Sequence, residues 1–178
     1  MPGMASSKLI ESEIGLYRSA LGFQINSGGS GWIQMETPAD KKTIETTYHA
    51  PKTEPALAEA LAAAPKAKRL KVPMTGEGAS LTVRVDNLDK NLSLEQYLHR
   101  WLKEYPRYGF DILNSKSFTQ NSITGQIVDL VNQGTKNQLR QVIFVRNNHA
   151  VILTCRDALA TFRESINGCN QIIRTFKW

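Results

Sequence analysis

Cysteine, histidine and long apolar runs are all scarce in this chain, and each scarcity removes a class of protein. There are two cysteines, Cys155 and Cys169. They are too few for a disulfide scaffold and lack metal-ligand spacing. Both fall on apolar stripes, so two small buried residues is the default reading, with a single bridge left open if the protein is exported. The three histidines, His49, His99 and His149, stand far apart. A zinc site needs more N and S ligands than any local stretch offers, so no metal is expected. No apolar run approaches the ~18 residues of a membrane-spanning helix.

Catalytic fingerprints are missing as well. There is no P-loop, no helical His-Glu-x-x-His and no Gly-x-Ser-x-Gly. Gly28-Gly29-Ser30-Gly31 and Gly76-Glu77-Gly78 are glycine-rich, but without a strand–loop–helix context they read as turns. Asp86, Asp111 and Asp129 lie at or near expected strands, yet no spacing brings two carboxylates together for acid–base work. No catalytic residue and no cofactor are expected. The enzyme alternative is a hydrolase-type site assembled from distant residues such as Asp111, Asp129 and His149. The opening Met1–Ser7 lacks a basic segment followed by an apolar one, so no secretory signal shows. A periplasmic or envelope location, with a lipobox or signal trimmed away, is the favoured expectation; otherwise the cytoplasm.

What is present points to a globular α+β protein. Apolar residues make up 41% and charged residues 21% of the 178 residues, enough for one domain with a core. Net charge is +6, and residues 81–178 carry thirteen Lys/Arg against eight Asp/Glu. That excess is compatible with an anion- or nucleic-acid-binding face. The basic run Lys66–Lys71 lacks interleaved aromatics, so stacking on single strands is unsupported and nucleic acid is not the expected partner. Asn91-Leu92-Ser93 is a formal glycosylation sequon, with meaning only in a eukaryotic secretory setting.

Residues 1–19 read as a polar tail or short helix carrying Leu9, Ile10, Ile14 and Leu16. Leu21–Ile25 and Trp32–Met35 alternate like strands, with a turn-rich loop between them. Residues 37–80, which hold five of the seven prolines, read as a Pro/Ala/Lys-rich insertion within a domain spanning 20–178. Leu81, Val83 and Val85 alternate with polar residues as a half-buried strand. Ser93-Leu94-Glu95-Gln96 is a capping box. Leu94, Tyr97, Leu98, Trp101, Leu102 and Tyr105 follow at helical spacing, and Pro106 marks the end. Strands are expected over Ile112–Thr119, Ile123–Asn132, Leu139–Arg146 and His149–Cys155. Gly134–Asn137 and the two-residue turn Asn147-Asn148 connect the last three. Leu139–Arg146 is apolar on both faces, the mark of a central strand covered on both sides. A closing helix from an N-cap at Asp157 to Cys169, and a short strand within Ile172–Phe176, complete the pattern. The expected fold is a three-layer α/β/α sandwich around an antiparallel sheet of about six strands.

Several of these segments together resemble the PsbP-like superfamily, which includes photosystem II extrinsic subunits, a Ran-binding import factor and small bacterial envelope proteins. Gly22-Phe23-Gln24-Ile25 with Gly31-Trp32 resembles its opening strand and turn. Ser93-Leu94-Glu95 with Tyr97 resembles its first helix. Ile143–Asn148 and Ile152–Cys155 resemble its late hairpin, and Phe162, Ile166, Ile172, Ile173 and Thr175-Phe176 its closing elements. Ser30 stands where the family often has Pro, Ala150-Val151 where it often has Tyr, and Thr175 where it often has Ser. The resemblance implies a non-enzymatic accessory or docking protein with a protein partner, using the 37–80 segment or the basic face.

Overall fold

The computed structural model describes residues 15–35, 43–51 and 78–178. Nine strands and two α-helices are found there. β1 (Leu16–Arg18) and β2 (Gln24–Asn26) form a two-stranded hairpin. The other seven form one antiparallel sheet: β3 (Ile33–Met35), β4 (Ile44–His49), β5 (Ser80–Asn87), β6 (Asp111–Gln120), β7 (Ile123–Asn132), β8 (Asn137–Arg146) and β9 (His149–Ala158). Their spatial order is β3-β4-β5-β9-β8-β7-β6. α1 (Leu94–Glu104) follows β5, and α2 (Phe162–Ile173) follows β9. The class is α+β with a mainly antiparallel sheet.

Local chemistry explains most of these boundaries. At the start of α1, Ser93 Oγ accepts from Gln96 N (3.1 Å) and Gln96 Oε1 accepts from Ser93 N (3.0 Å), closing the expected capping box. Pro106 lies in the single 3₁₀ turn Tyr105–Tyr108 that ends the helix. Asn147 and Asn148 both take positive φ, 50° and 60°, as a two-residue hairpin turn requires. Asn121-Ser122 makes a second such turn, at 48° and 63°. It joins β6 to β7 and carries no Asn-Gly signal in the sequence.

β8 has a neighbour on each side and divides its side chains between two buried clusters. Val142 and Phe144 join Leu81, Val83, Val151 and Leu153, together with Cys169, Ile172 and Ile173 of α2. Leu139 and Ile143 join Val128, Leu130 and Ile152, together with Tyr97 and Leu98 of α1. In the first cluster Phe144 lies parallel to Phe176, ring centroids 4.3 Å apart. A Cβ at position 125 would come within 2.8 Å of the Phe118 and Phe144 rings, so β7 carries Gly125 there.

Several expectations are corrected. Leu16–Arg18 is a strand rather than tail or helix, and Leu21-Gly22 belongs to the β1–β2 turn. Leu9, Ile10 and Ile14 lie outside the described residues, as do 36–42 and 52–77, which include Lys66–Lys71. The expected insertion at 37–80 contains β4, which pairs with β3 and β5 inside the sheet. The sheet has seven strands rather than about six. Asp157 does not cap α2. β9 stays in register with β8 as far as Ala158 opposite Asn137, and continuing that ladder outweighs a local cap. The Asp157 carboxylate instead accepts from Ser165 Oγ (2.7 Å), and the helix starts at Phe162. The closing strand reduces to one bridge, Gln24 to Lys177.

Candidate functional site

Tyr97 and Trp101 of α1 and Tyr105, the first residue of the 3₁₀ turn that ends it, lie four residues apart, so the three rings align along one face. Tyr97 meets Trp101 edge-on at 6.3 Å, and Trp101 stacks on Tyr105 at 5.7 Å. The two hydroxyls anchor this row to the sheet. Tyr97 donates to Asp86 Oδ2 and Tyr105 donates to Gln141 Oε1. Gln141 in turn donates to Thr154 Oγ1 at 3.2 Å. Arg84, two residues before Asp86 on the same face of β5, meets the Asp86 carboxylate at 3.3 Å. Its guanidinium also lies over the Trp101 ring, 5.3 Å from the centroid. Asp86, Arg84, Trp101 and Tyr97 thus form a closed set of contacts that locks α1 against β5.

A second anchor lies across from it. The β4–β5 register slips between Ile44 and Thr46, and such a bulge re-aims a side chain. Glu45 is the residue at the slip. Its carboxylate accepts from Tyr17 Oη of β1 and, at 3.2 Å, from Ser19 Oγ.

Between these anchors an open cleft of about 780 Å³ runs where α1, β4, β5 and the β1–β2 turn meet. Tyr97, Arg100 and Trp101 of α1, Tyr108 of the 3₁₀ turn, Glu45 of β4 and Asp86 of β5 line it. Trp101 is half-buried and Tyr108 is 66% exposed. Glu104 also lines the cleft and pairs with Arg107 at 3.2 Å. Arg100 lines it too, is exposed, and has no hydrogen bond or ion pair among the described residues. Three phenols in this region, Tyr97, Tyr17 and Tyr105, are raised. Burial, and then the Asp86 carboxylate, pushes Tyr97 well above the ordinary range; burial and Glu45 do the same to Tyr17. Burial raises Tyr105, opposed in part by Arg84.

No family model matches the chain, and no curated protein matches it. Among solved structures, cyanobacterial PsbP (CyanoP) from Synechocystis sp. PCC 6803 superposes with a TM-score of 0.57. That match covers 91% of this chain and 90% of the other, at 8% identity. The chain has a PsbP-like fold. A Pseudomonas aeruginosa protein of unknown function, described as a candidate regulator, matches with a TM-score of 0.51 at 20% identity. Here 56% of this chain and 74% of the other are covered.

Within the PsbP-like frame, the residues proposed for a distant-residue enzyme site do not converge. Asp111 pairs across to Val131, which faces Gln138, whereas His149 faces Arg146 at the other end of β8. Eight residues of strand, roughly 27 Å, separate those positions. Asp129 lies between them in β7 and is taken up by Arg140, with contacts of 2.7 and 3.1 Å. His149 Nδ1 lies 2.8 Å from the carbonyl of Asn147. Asp86 is held by Arg84 and Tyr97. Of the basic residues behind the anion-binding alternative, Arg84, Arg107 and Arg140 are paired with carboxylates. Cys155 and Cys169, both buried, are joined to each other, tying β9 to α2. The bridge replaces the default reading of two small core thiols. From the sequence Tyr97 and Trp101 read as core, and Arg100 and Tyr108 do not stand out. The available signal is an aromatic residue at every fourth position from Tyr97 to Tyr105, with Arg100 within that row and Tyr108 just past the helix end.

Proposed function

We propose that this chain is a non-enzymatic accessory protein that docks a protein partner in the cleft beside α1. One observation carries the reading: Arg100, Trp101 and Tyr108 line the same open cleft, with Tyr108 66% exposed. Arg, Trp and Tyr are the residue types that dominate binding energy at protein interfaces, above all where a rigid base holds them. The Tyr97–Asp86–Arg84–Trp101 set is such a base. The PsbP-like fold and the candidate-regulator neighbour support the same class of role.

The finer layering proposed with this role is a three-layer sandwich, α1 on one face of the sheet and α2 on the other. The division of neighbouring Val142 and Ile143 between two clusters supports it. An oxidising compartment, the bacterial envelope, is proposed as the place of action. Its support is the buried Cys155–Cys169 bridge and the bacterial source of both structural neighbours.

The test is site-specific photocrosslinking in the native host. A photoreactive phenylalanine at Tyr108 is expected to give a discrete protein adduct, and one at Lys116, exposed on the far strand β6, is expected to give none. Equal adducts from both positions, or an adduct from Lys116 alone, would contradict the reading.

A further inference from the structure

The charges round the cleft suggest what its occupant carries. Asp86 is paired with Arg84, and Glu104 with Arg107. Both Glu45 oxygens accept hydroxyl donors, Tyr17 and Ser19, from β1 and its turn. Arg100 is different: it lines the cleft and has no partner among the described residues. A guanidinium presents a fixed fork of donors that matches a carboxylate in two-pronged fashion. Beside it lie the half-buried Trp101 and the largely exposed Tyr108, which offer apolar area with little rotamer entropy to lose.

Resting on the docking reading, we infer that the cleft takes a peptide segment of the partner in which a carboxylate side chain lies next to an aromatic or aliphatic one. The carboxylate pairs with Arg100, and the apolar neighbour lies against Trp101 and Tyr108. A cationic segment is disfavoured because it would bring a second positive charge beside Arg100 while the Asp86 and Glu104 carboxylates are already engaged.

The experiment uses short capped peptides with Phe-Glu-Leu, Phe-Gln-Leu or Phe-Lys-Leu at their centre, with glutarate and inorganic phosphate as small-anion probes. Binding is read by calorimetry and by tryptophan fluorescence, with Trp101→Phe identifying the reporting indole. The Phe-Glu-Leu peptide is expected to bind at least about tenfold more tightly than the other two. Arg100→Gln is expected to erase the preference for Glu over Gln, and Arg100→Lys to keep part of it. Since Arg100 is exposed, unchanged melting temperatures are expected for both variants. Equal binding of the Gln or Lys peptide, or an undiminished Glu preference in Arg100→Gln, would make Arg100 only a solvated helix charge and overturn the inference. Glutarate or phosphate binding as tightly as the peptide would overturn the peptide assignment. If the acidic preference is missing while the Tyr108 adduct still forms, only the inference about acidic segments fails; if the adduct is missing too, the docking reading fails with it.

Discussion

Asp129 and Arg140 face each other in register across β7 and β8, and the Asp129 carboxylate meets Arg140 Nε and Nη2 at 2.7 and 3.1 Å. Arg140 Nη1 also reaches Asn170 of α2 at 3.4 Å, so the pair links the sheet to that helix. Asp129 is 8% exposed. Removing one partner therefore leaves a charge with little water around it. Arg140→Met is expected to cost about 2–4 kcal/mol in denaturant unfolding, and the double variant Asp129→Leu, Arg140→Met clearly less. Equal losses in the single and double variants would show that the uncompensated charge is not the cause.

Tyr48 offers the opposite case. Its ring is fully buried in the cluster that contains Phe144, and its hydroxyl has no hydrogen-bond partner among the described residues. Deleting a buried, unpaired hydroxyl while keeping the ring removes a desolvation cost. Tyr48→Phe is expected to be neutral or to stabilise by up to about 1 kcal/mol, seen as an unchanged or higher melting temperature. A loss of more than about 1 kcal/mol would mean that the hydroxyl is satisfied.

The bridge between Cys155 and Cys169 closes a loop with a sequence separation of 14. By the chain-entropy model such a loop contributes about 3 kcal/mol. Replacing both cysteines by alanine is expected to lower stability by roughly that amount. Peptide mapping without reductant is expected to recover the two cysteines linked. Recovery of two free thiols from protein made in an oxidising compartment would contradict the bridge.

Alkaline pH is expected to destabilise the fold. Burial pushes the Tyr48 phenol up to about 12. Tyr17, Tyr97 and Tyr105 are raised as well, burial being the largest cause in each. In the unfolded chain a phenol ionises near pH 10. Above that value the unfolded state has released protons that the folded state still holds, so stability falls as pH rises. The contribution is complete below about pH 10 and is lost as pH climbs through the folded-state values. Melting curves and phenolate absorbance followed together should show four of the five tyrosines ionising late and in step with unfolding. Early, independent ionisation of these four would contradict their burial.

Much of the second half of the fold was legible in the sequence. β7 has the expected limits, and the Ser93–Gln96 box and the Asn147-Asn148 turn have their expected geometry. Those features are local, or repeat with a period that burial enforces. β4 was not legible because Ile44-Glu45-Thr46-Thr47-Tyr48-His49 shows weak alternation among prolines; its place comes from pairing with β3 and β5. The true start of α2 was hidden because Asp157 offers a good cap locally while the ladder to β8 holds it in a strand. The cleft was the least legible part. Asp86 was visible as a strand carboxylate, but its contacts with Arg84 and Tyr97 join β5 to α1. The slip that turns Glu45 toward the cleft exists only between paired strands.

Amide chemical-shift mapping with the crosslinked partner, purified and titrated into isotope-labelled protein, tests whether a protein partner occupies the cleft beside α1. The largest shifts are expected at Asn87, Arg100, Trp101 and Tyr108, including the Trp101 indole, with β6 unmoved. Shifts confined to β6 or to the outer face of α2, with α1 silent, would contradict it.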